Sequence, residues 1–309
     1  IFFSTSLAFG CGTSRAKNLE GCVPAVFVFA RVVRPRLRNS SGFLIDSHSH
    51  GQLQLSSDFA ISESEFSDGC FASHLSEKYS LPLVEKKQLH HYQAWFLQFN
   101  GRLAWKSASL TDFKPLFVDF ESSEMRQRLQ TGLSKKDLFV RAVGSATVGS
   151  GSALDLMAGF GQDSFVMAAL GFQVLAVEKN FVIYELLKDG LQKSSQKQIS
   201  QKIQLVHGDA CDVLDSSELI NPWSLVYLDP MFPQKRKKAA RSQSSMQYLQ
   251  SLEAPMNESV LQMLLGRARA LSTNRVVLKR PLKAPLIVEG WLHSFRGRSV
   301  RFDLYGPQF

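Results

Sequence analysis

The sequence contains little cysteine. Four of its 309 residues are cysteines, and no two of them form a Cys-x-x-Cys pair. Disulfide-linked small domains and zinc ribbons both depend on closely paired cysteines, so the pattern argues against both classes, and a reducing compartment fits best. The cysteines are Cys11, Cys22, Cys70 and Cys211.

Long apolar runs are also missing. The longest, residues 23–33, is interrupted by Pro24 and Arg31. Spanning a bilayer takes about 20 consecutive apolar residues, so we expect no association with a membrane and a cytoplasmic protein. Residues 1–45 hold six basic residues, a single acidic one and many serines. That composition resembles a transit peptide and leaves an organellar location as the alternative.

Residues 1–68 differ in composition from the rest of the chain. We expect an extension that is disordered or outside the folded domain, because residues 46–69 are polar and rich in serine, as linkers are. His48 and His50 lie near Asp46 and are residue types that bind metals. No further ligand follows at a suitable spacing, so we expect a solvated loop and no bound metal.

Acidic residues are scarce in the remainder. Residues 69–309 contain thirty basic and twenty-one acidic side chains and account for the whole net charge of +9. A basic globular body favours a polyanionic partner, and nucleic acid is the first candidate. The alternative is an ordinary soluble protein with surplus lysine and arginine.

Residues 69–145 predict a small, β-rich α+β domain. Both positions of Asn100-Gly101 tolerate the positive φ of a tight turn, and strand-like segments flank them, which predicts a hairpin. Further strands are expected at residues 84–86 and 115–120. Helical structure is expected over 121–142, with a basic surface formed by Arg126, Arg128, Lys135, Lys136 and Arg141. The hairpin aromatics could stack on bases, but their alternation favours a hydrophobic core. They are Trp95, Phe96, Phe99 and Trp105.

Residues 146–309 alternate between strand-like and helix-like segments. This order predicts an α/β fold with a doubly wound, Rossmann-like parallel sheet whose ligands bind at the carboxyl edge of the strands. The expected strands are residues 153–158, 173–178, 202–207, 225–229, 275–279 and 300–305, and the expected helices are 162–171, 181–193 and 258–272.

A glycine pair follows the first of these strands. In the segment from Asp155 onward, Gly159 and Gly161 let the backbone approach a ligand closely. Glu178 ends the next strand, where a carboxylate can accept hydrogen bonds from two ribose hydroxyls. The pattern fits NAD and S-adenosylmethionine equally well. Asp209 follows the third strand and is suited either to contact an adenine amine or to cap a helix.

The segment Asp229-Pro230-Met231-Phe232 ends the fourth strand. An exocyclic base amine is a poor nucleophile, because its lone pair is delocalised into the ring. The carboxylate of Asp229 and a carbonyl held by Pro230 can accept its N–H groups and direct the nitrogen toward a methyl donor. The ring of Phe232 can stack on a flipped base. The alternative is a proline-rich strand end with Phe232 buried.

A run of basic residues follows this motif directly. Beside a base pocket such a run suits contacts with RNA phosphates, and a solvated charged surface is the usual alternative. The run comprises Lys235, Arg236, Lys237, Lys238 and Arg241. Basic residues near two other strand ends are expected to extend the same surface, namely Lys279, Arg280, Arg296, Arg298 and Arg301.

Together these segments resemble a known family. DLMAGFGQDSFVMAALG, VLAVEKN, LVYLDPMFPQKRKKA, VVLKRP and RFDLYG, in this order and spacing, are similar to the RsmJ family of bacterial small-subunit rRNA methyltransferases. The resemblance implies a class I methyltransferase domain over residues 146–309, with S-adenosylmethionine as cofactor. It also implies methyl transfer to N2 of guanine(1516) in 16S rRNA, with free rRNA or the small ribosomal subunit as partner.

The resemblance further implies where the cofactor is bound. Family members commonly have Arg at positions 162 and 179 and Ser-Ser at 209–210, so this chain departs from the family pattern there. The implied cofactor contacts are Gln162, Asp163, Glu178, Lys179, Asp209, Ala210 and Asp229.

Three other functions remain as alternatives. One is methylation of a different base amine in nucleic acid. An NAD-dependent oxidoreductase is the second, although no hydride-accepting site with an acid or base partner is evident. The third is a non-catalytic RNA-binding assembly factor, against which the motif at residues 229–233 argues. The sequence indicates no oligomeric state.

Overall fold

The computed structural model describes residues 58–131, 133–134, 136–144, 151–215, 223–232 and 244–308. All of them belong to one compact unit. Two β-sheets and their flanking helices make up this part of the chain. None of the helices described is long and apolar enough to cross a membrane.

A four-stranded sheet forms the first part. Its order is β2-β1-β3-β4, with β1 parallel to both neighbours and β3 antiparallel to β4. Asn100 and Gly101 have φ angles of 52° and 73°, so the expected hairpin turn is confirmed. The strands are β1 (Phe59–Ser62), β2 (Leu83–Val84), β3 (Ala94–Phe99) and β4 (Arg102–Ser107).

The linker interpretation of residues 46–69 is wrong for its last part. Strand β1 lies inside the sheet, and its Ala60 and Ile61 are fully buried. Asp68 caps the next helix, α1 (Gly69–Tyr79), by accepting a hydrogen bond from the backbone N–H of Cys70 at 2.9 Å. Burial of a short apolar segment outweighs its serine-rich surroundings, so the fold begins before residue 69.

Residues 115–120 do not form the expected strand. A single bridge joins Leu116 to Trp105. Phe120 instead stacks on Phe165, with ring centroids 4.2 Å apart. The segment therefore packs against the helix that contains Phe165 and does not extend the edge of the sheet. Beyond it, two helices replace the one expected over 121–142, α2 (Ser123–Thr131) and α3 (Leu138–Val143).

A seven-stranded sheet forms the second part, in the order β10-β11-β9-β8-β5-β6-β7. Strands β5 to β9 are parallel, which confirms the doubly wound arrangement, but β11 runs antiparallel to β9 and β10. The strands are β5 (Ser152–Asp155), β6 (Gln173–Glu178), β7 (Ile203–His207), β8 (Trp223–Leu228), β9 (Ser272–Pro281), β10 (Trp291–Arg296) and β11 (Val300–Tyr305).

Helices connect and cover these strands. They are α4 (Gln162–Ala169), α5 (Phe181–Lys193), α6 (Lys197–Ser200), α7 (Ala210–Asp215), α8 (Ser244–Leu252) and α9 (Glu258–Leu271). Short 3₁₀ turns occur at Glu63–Glu65 and Lys86–His91.

The two sheets share one hydrophobic cluster. It includes Phe96 and Trp105 from the small sheet and Val174 and Leu186 from the large sheet and α5. At Gly190 in α5, a Cβ atom would lie 2.6 Å from the side chain of Val118, so only glycine permits this close approach. The division into domains at residue 145 stays a prediction.

Candidate active site

The strand order reverses between β5 and β8. From β5 the chain proceeds to β6 and β7 on one side and then returns to β8 on the other. In doubly wound sheets, ligands bind outside the carboxyl ends of the strands at such a reversal. The backbone N–H of Leu156 donates to the carbonyl of Tyr227 at 3.1 Å, so the glycine turn and the Asp229 motif leave the sheet side by side.

The glycine turn has one packed side and one open side. Gly159 and Gly161 both lie in the left-handed region, with φ angles of 54° and 71°. A Cβ on Gly161 would lie 2.4 Å from Leu187, whereas a Cβ on Gly159 would meet no described atom within 4 Å. Gly161 therefore allows α5 to pack, and Gly159 leaves room for a ligand next to the backbone.

Glu178 closes this side of the crevice. Its carboxylate is buried and accepts hydrogen bonds from the backbone N–H of Gly159 at 2.8 Å and of Asn180 at 2.7 Å. The pKa of Glu178 is raised to about 8. Burial is the larger cause, and the nearby carboxyl of Glu253, which is hydrogen-bonded to Glu178, is the second. A carboxylate held in this way beside an open glycine backbone suits a ribose diol. The sequence did not indicate Glu253, because only the folding of α8 brings it to this position.

Asp155 lies beneath the turn. It is 1% exposed and accepts hydrogen bonds from the Ser164 hydroxyl at 2.5 Å and the Met157 N–H at 3.2 Å. Burial raises the pKa of Asp155 to about 7. These bonds tie the turn to helix α4, so Asp155 supports the loop from below, and direct contact with a cofactor stays a prediction.

The remaining predicted cofactor residues lie along the same sheet edge. Gln162 and Lys179 are exposed at the start of α4 and just past β6. Gln162 also lines an open cleft together with Phe160 and residues 116–120 and 122. Asp209 caps α7 by accepting a hydrogen bond from the Cys211 N–H at 2.8 Å, so it has the helix-capping role that was one of its two predicted roles. Its role toward adenine stays a prediction, as does that of the buried Ala210.

The segment predicted to bind the target base lies on the other side of the reversal. Asp229 is one residue past β8, and its Oδ2 accepts a hydrogen bond from Lys279 Nζ at 2.7 Å. Pro230 is buried and Phe232 is half-buried. The guanidinium of Arg280 lies 5.3 Å from the centroid of the Phe232 ring, so a buried cation contacts the aromatic side chain expected to stack on a base.

Asp163 is the centre of a cluster of charges at the crevice. It accepts hydrogen bonds from Tyr227 Oη at 2.6 Å and Lys279 Nζ at 3.3 Å, and it pairs with Arg128. Although burial opposes the effect, Lys279 and Arg128 hold the pKa of Asp163 well below its usual range. Sequence reasoning placed Asp163 at the site but assigned Arg128 and Lys279 to a basic surface.

Two arginines that were expected on the RNA-binding surface, Arg280 and Arg301, do not lie there, so this part of the prediction is wrong. Arg280 is 2% exposed and donates to both carboxylate oxygens of Glu258, at 2.9 and 3.1 Å. Arg301 is also buried and donates to Asp303 at 2.8 and 2.9 Å. The two arginines are register partners on β9 and β11, and each is paired with a carboxylate, Arg280 with the exposed Glu258 and Arg301 with the buried Asp303. They are structural residues and are not accessible to phosphates.

Arg296 and Arg298 differ, because both are exposed at the β10–β11 turn. That turn lies beside the carboxyl end of β9, where Val300 pairs with Pro281. The basic run Lys235–Lys238 with Arg241 lies outside the described residues, as do His48 and His50. In the part of the chain that is described, no group of His, Cys, Asp and Glu side chains could hold a metal ion.

Comparison with known proteins identifies the class. Residues 74–307 match the family model of SAM-dependent methyltransferases, where SAM is S-adenosylmethionine. A solved SAM-dependent methyltransferase from Neisseria gonorrhoeae superposes with a TM-score of 0.59 at 25% identity, covering 81% of this chain and 96% of that one. The chain therefore has the fold of a SAM-dependent methyltransferase, and SAM rather than NAD is the cofactor.

Curated relatives define the family more closely. The ribosomal RNA small subunit methyltransferase J of Pseudoalteromonas atlantica is 34% identical, over 74% of this chain and 96% of the relative. That of Coxiella burnetii is 35% identical, over 76% and 91%. The chain belongs to the ribosomal RNA small subunit methyltransferase J family.

Proposed function

We propose that this enzyme transfers a methyl group from SAM to the exocyclic N2 amine of a guanine in 16S rRNA of the small ribosomal subunit. Relatives that are 34% and 35% identical are named as small-subunit rRNA methyltransferases. The observation that supports the proposal most is the position of Asp229, which follows β8 directly across the strand reversal from the open side of Gly159.

The chain's own residues are suited to hold the cofactor. Gly159 leaves space beside the backbone, and the fixed carboxylate of Glu178 can accept the two ribose hydroxyls. SAM supplies a methyl group on a sulfonium centre, which is electrophilic. We infer that Gln162, Asp163, Lys179, Asp209 and Ala210 complete the cofactor site along the same edge.

Asp229 and Pro230 are proposed to hold the target amine. Lys279 occupies Oδ2 of Asp229, and within the described residues no hydrogen bond reaches Oδ1, which can accept an N–H of the base. The carbonyl of Pro230 is the second acceptor. Two acceptors would turn the nitrogen lone pair toward the methyl group. As the N–C bond forms, the methyl–sulfur bond would break with its electron pair left on sulfur, and the N–H proton would pass to the Asp229 carboxylate and from there to solvent.

Phe232 and the basic residues are proposed to hold the RNA. The Phe232 ring can stack on a base that has left its helix, a geometry that enzymes acting on bases require. Lys235, Arg236, Lys237, Lys238 and Arg241 are proposed to contact phosphates beside the pocket, together with the exposed Arg296 and Arg298.

A complementation experiment tests the proposal. The chain is expressed in a bacterial strain that lacks its own methyltransferase J, and digested 16S rRNA is examined by liquid chromatography and mass spectrometry. We expect one N2-methylguanosine to be restored. A methylated adenine or cytosine instead would show that another base amine is the substrate, and unchanged rRNA would contradict the proposal. Purified 16S rRNA and assembled subunits, supplied separately with SAM, distinguish the two forms of substrate.

A further inference from the structure

Lys279 lies between two carboxylates at the carboxyl edge of the large sheet. Its Nζ is 2.7 Å from Oδ2 of Asp229 and 3.3 Å from Oδ2 of Asp163. The lysine side chain is 27% exposed, and that of Asp163 is 13% exposed. A single ammonium group therefore links the helix that follows the glycine turn to the segment proposed to bind the base.

The strand register makes this bridge a consequence of the fold. Leu228 of β8 pairs with Leu278 of β9 in the parallel ladder. Asp229 and Lys279 are the next residues on the two strands, so their side chains point to the same face of the sheet at its edge. A lysine at this register position can reach Asp229 without distorting either strand.

The charges around Asp229 show what the lysine offsets. Asp163 on α4 and the buried Asp155 on β5 are acidic, whereas Lys279 on β9 and Arg128 on α2 are basic. Removal from solvent raises the pKa of Asp229, Lys279 lowers it and Asp163 raises it again. The neighbouring Tyr227 hydroxyl is already donated to Asp163. Lys279 is thus the cation nearest to Asp229 among the groups described.

We propose that Lys279 is a positioning residue for methyl transfer: it fixes one oxygen of Asp229, keeps this carboxylate ionised beside Asp163, and leaves the other oxygen free for the base amine. The inference rests on the proposed function of Asp229. It assigns Lys279 to the interior of the site and not to the RNA-binding surface.

Replacing the ammonium by an isosteric apolar group tests the inference. In Lys279→Met we expect kcat to fall about 100-fold, because the acceptor is no longer held in place. The acidic limb of the kcat profile should also move to higher pH by about one unit or more, because an opposite charge within 4 Å is lost. Lys279→Arg keeps the charge and should return the limb toward the wild-type position. Lys283→Met, an exposed lysine on the same segment, serves as the matched control.

A direct titration separates this inference from the identity of the substrate. The Asp229 carboxyl is followed by ¹³C NMR in ligand-free protein, with its signal assigned by its loss in Asp229→Asn. We expect it to titrate at a higher pH in Lys279→Met than in the wild type, whichever RNA is methylated. An unchanged Asp229 titration, or loss of activity with an unmoved acidic limb, would overturn the inference. If Lys279→Met does not fold, Lys279→Gln is measured by the same two methods.

Discussion

Asp229 illustrates how a single side chain is subject to opposing demands. It must be ionised to accept an N–H from the base, yet its recessed position and the nearby Asp163 both favour the protonated form. Lys279 offsets these effects only in part, so the pKa of Asp229 stays above its ordinary value. Activity should therefore be present above this pKa and be lost as the pH falls through it.

Removing the carboxylate should abolish most of the methyl transfer. In Asp229→Ala we expect the rate of a single turnover on 16S rRNA to fall by at least about 100-fold, as when a preorganised hydrogen-bonding group is removed from an active site. The circular dichroism spectrum should stay that of the wild type. Asp212→Ala changes an exposed carboxylate on α7 and is the control. Turnover near the wild-type rate in Asp229→Ala would contradict the assigned role.

Glu253 should determine the pH dependence of cofactor binding. In the ligand-free protein Glu178 holds its proton up to a pH of about 8. Ribose hydroxyls donate to the ionised carboxylate, so the affinity for S-adenosylhomocysteine should rise as the pH increases through this value. Glu253→Gln removes a negative neighbour, which lowers the pKa of Glu178 and moves the rise to lower pH by about one unit.

Isothermal titration calorimetry from pH 6 to pH 9, at roughly unit intervals, measures this effect. Glu77→Gln, an exposed position on α1, is the control and should leave the midpoint unchanged. An identical midpoint in the wild type and Glu253→Gln would show that Glu253 does not influence the pKa of Glu178.

At the scale of elements, the close contact of α5 with residues 115–120 depends on one glycine. A Cβ at Gly190 would lie 2.6 Å from the Val118 side chain and 3.1 Å from its carbonyl oxygen. Gly266 in α9 offers a matched position, because a Cβ there would meet no described atom within 4 Å. A larger residue should therefore destabilise the protein at Gly190 and should be accommodated at Gly266.

Substituting alanine at each position should separate steric fit from helix propensity. Alanine favours a helix over glycine by up to about 1 kcal/mol, so Gly266→Ala should raise the free energy of unfolding by a similar amount. In Gly190→Ala overpacking outweighs that gain, and a net loss of about 1–2 kcal/mol is expected. Urea denaturation measures both. Equal effects at the two sites would show that the contact with Val118 is not tight.

Local patterns predicted most of these elements. The helix over residues 181–193 and the strand over 300–305 have the expected bounds, because apolar periodicity and nearby turn residues mark them. Strand β10 was not predicted. Its first three residues, Trp291, Leu292 and His293, are all exposed, so the strand lacks the alternation of buried apolar and exposed polar residues that marks a half-buried strand. Residues 115–120 look like a strand, but the Phe120–Phe165 stack, a tertiary contact, draws them away from the sheet.

For the whole molecule, the positive charge divides into two populations. Arg280 and Arg301 are buried beside carboxylates, whereas Arg296 and Arg298 are exposed near the edge that bears Asp229. Sequence placed all four on one surface, because charge alone does not reveal which cations have internal partners. The acidic residues of the candidate site, such as Glu178 and Asp229, were easier to predict, because the carboxyl ends of parallel strands meet at one edge of the sheet whatever the details of packing.

Neutralising the basic run should weaken RNA binding in a salt-dependent way. With Lys235, Arg236, Lys237 and Lys238 all changed to Gln, up to four phosphate contacts are lost. Each contributes about 0.7 to the slope of log K against log salt concentration for single strands, so the slope should fall by about 2–3. Fluorescence anisotropy with a 16S fragment at several salt concentrations measures it. Exposed Lys86 and Lys87, changed to Gln, form the control. An unaltered slope would indicate a solvated surface.

The ion cluster at the crevice also has an evolutionary consequence. Two anions, Asp163 and Asp229, balance two cations, Arg128 and Lys279. Loss of any one of them leaves an uncompensated charge in a partly buried place, whereas loss of an opposite pair leaves the balance intact. Across descendants of a common ancestor, these four positions should drift jointly, as coupled replacements, or stay as they are.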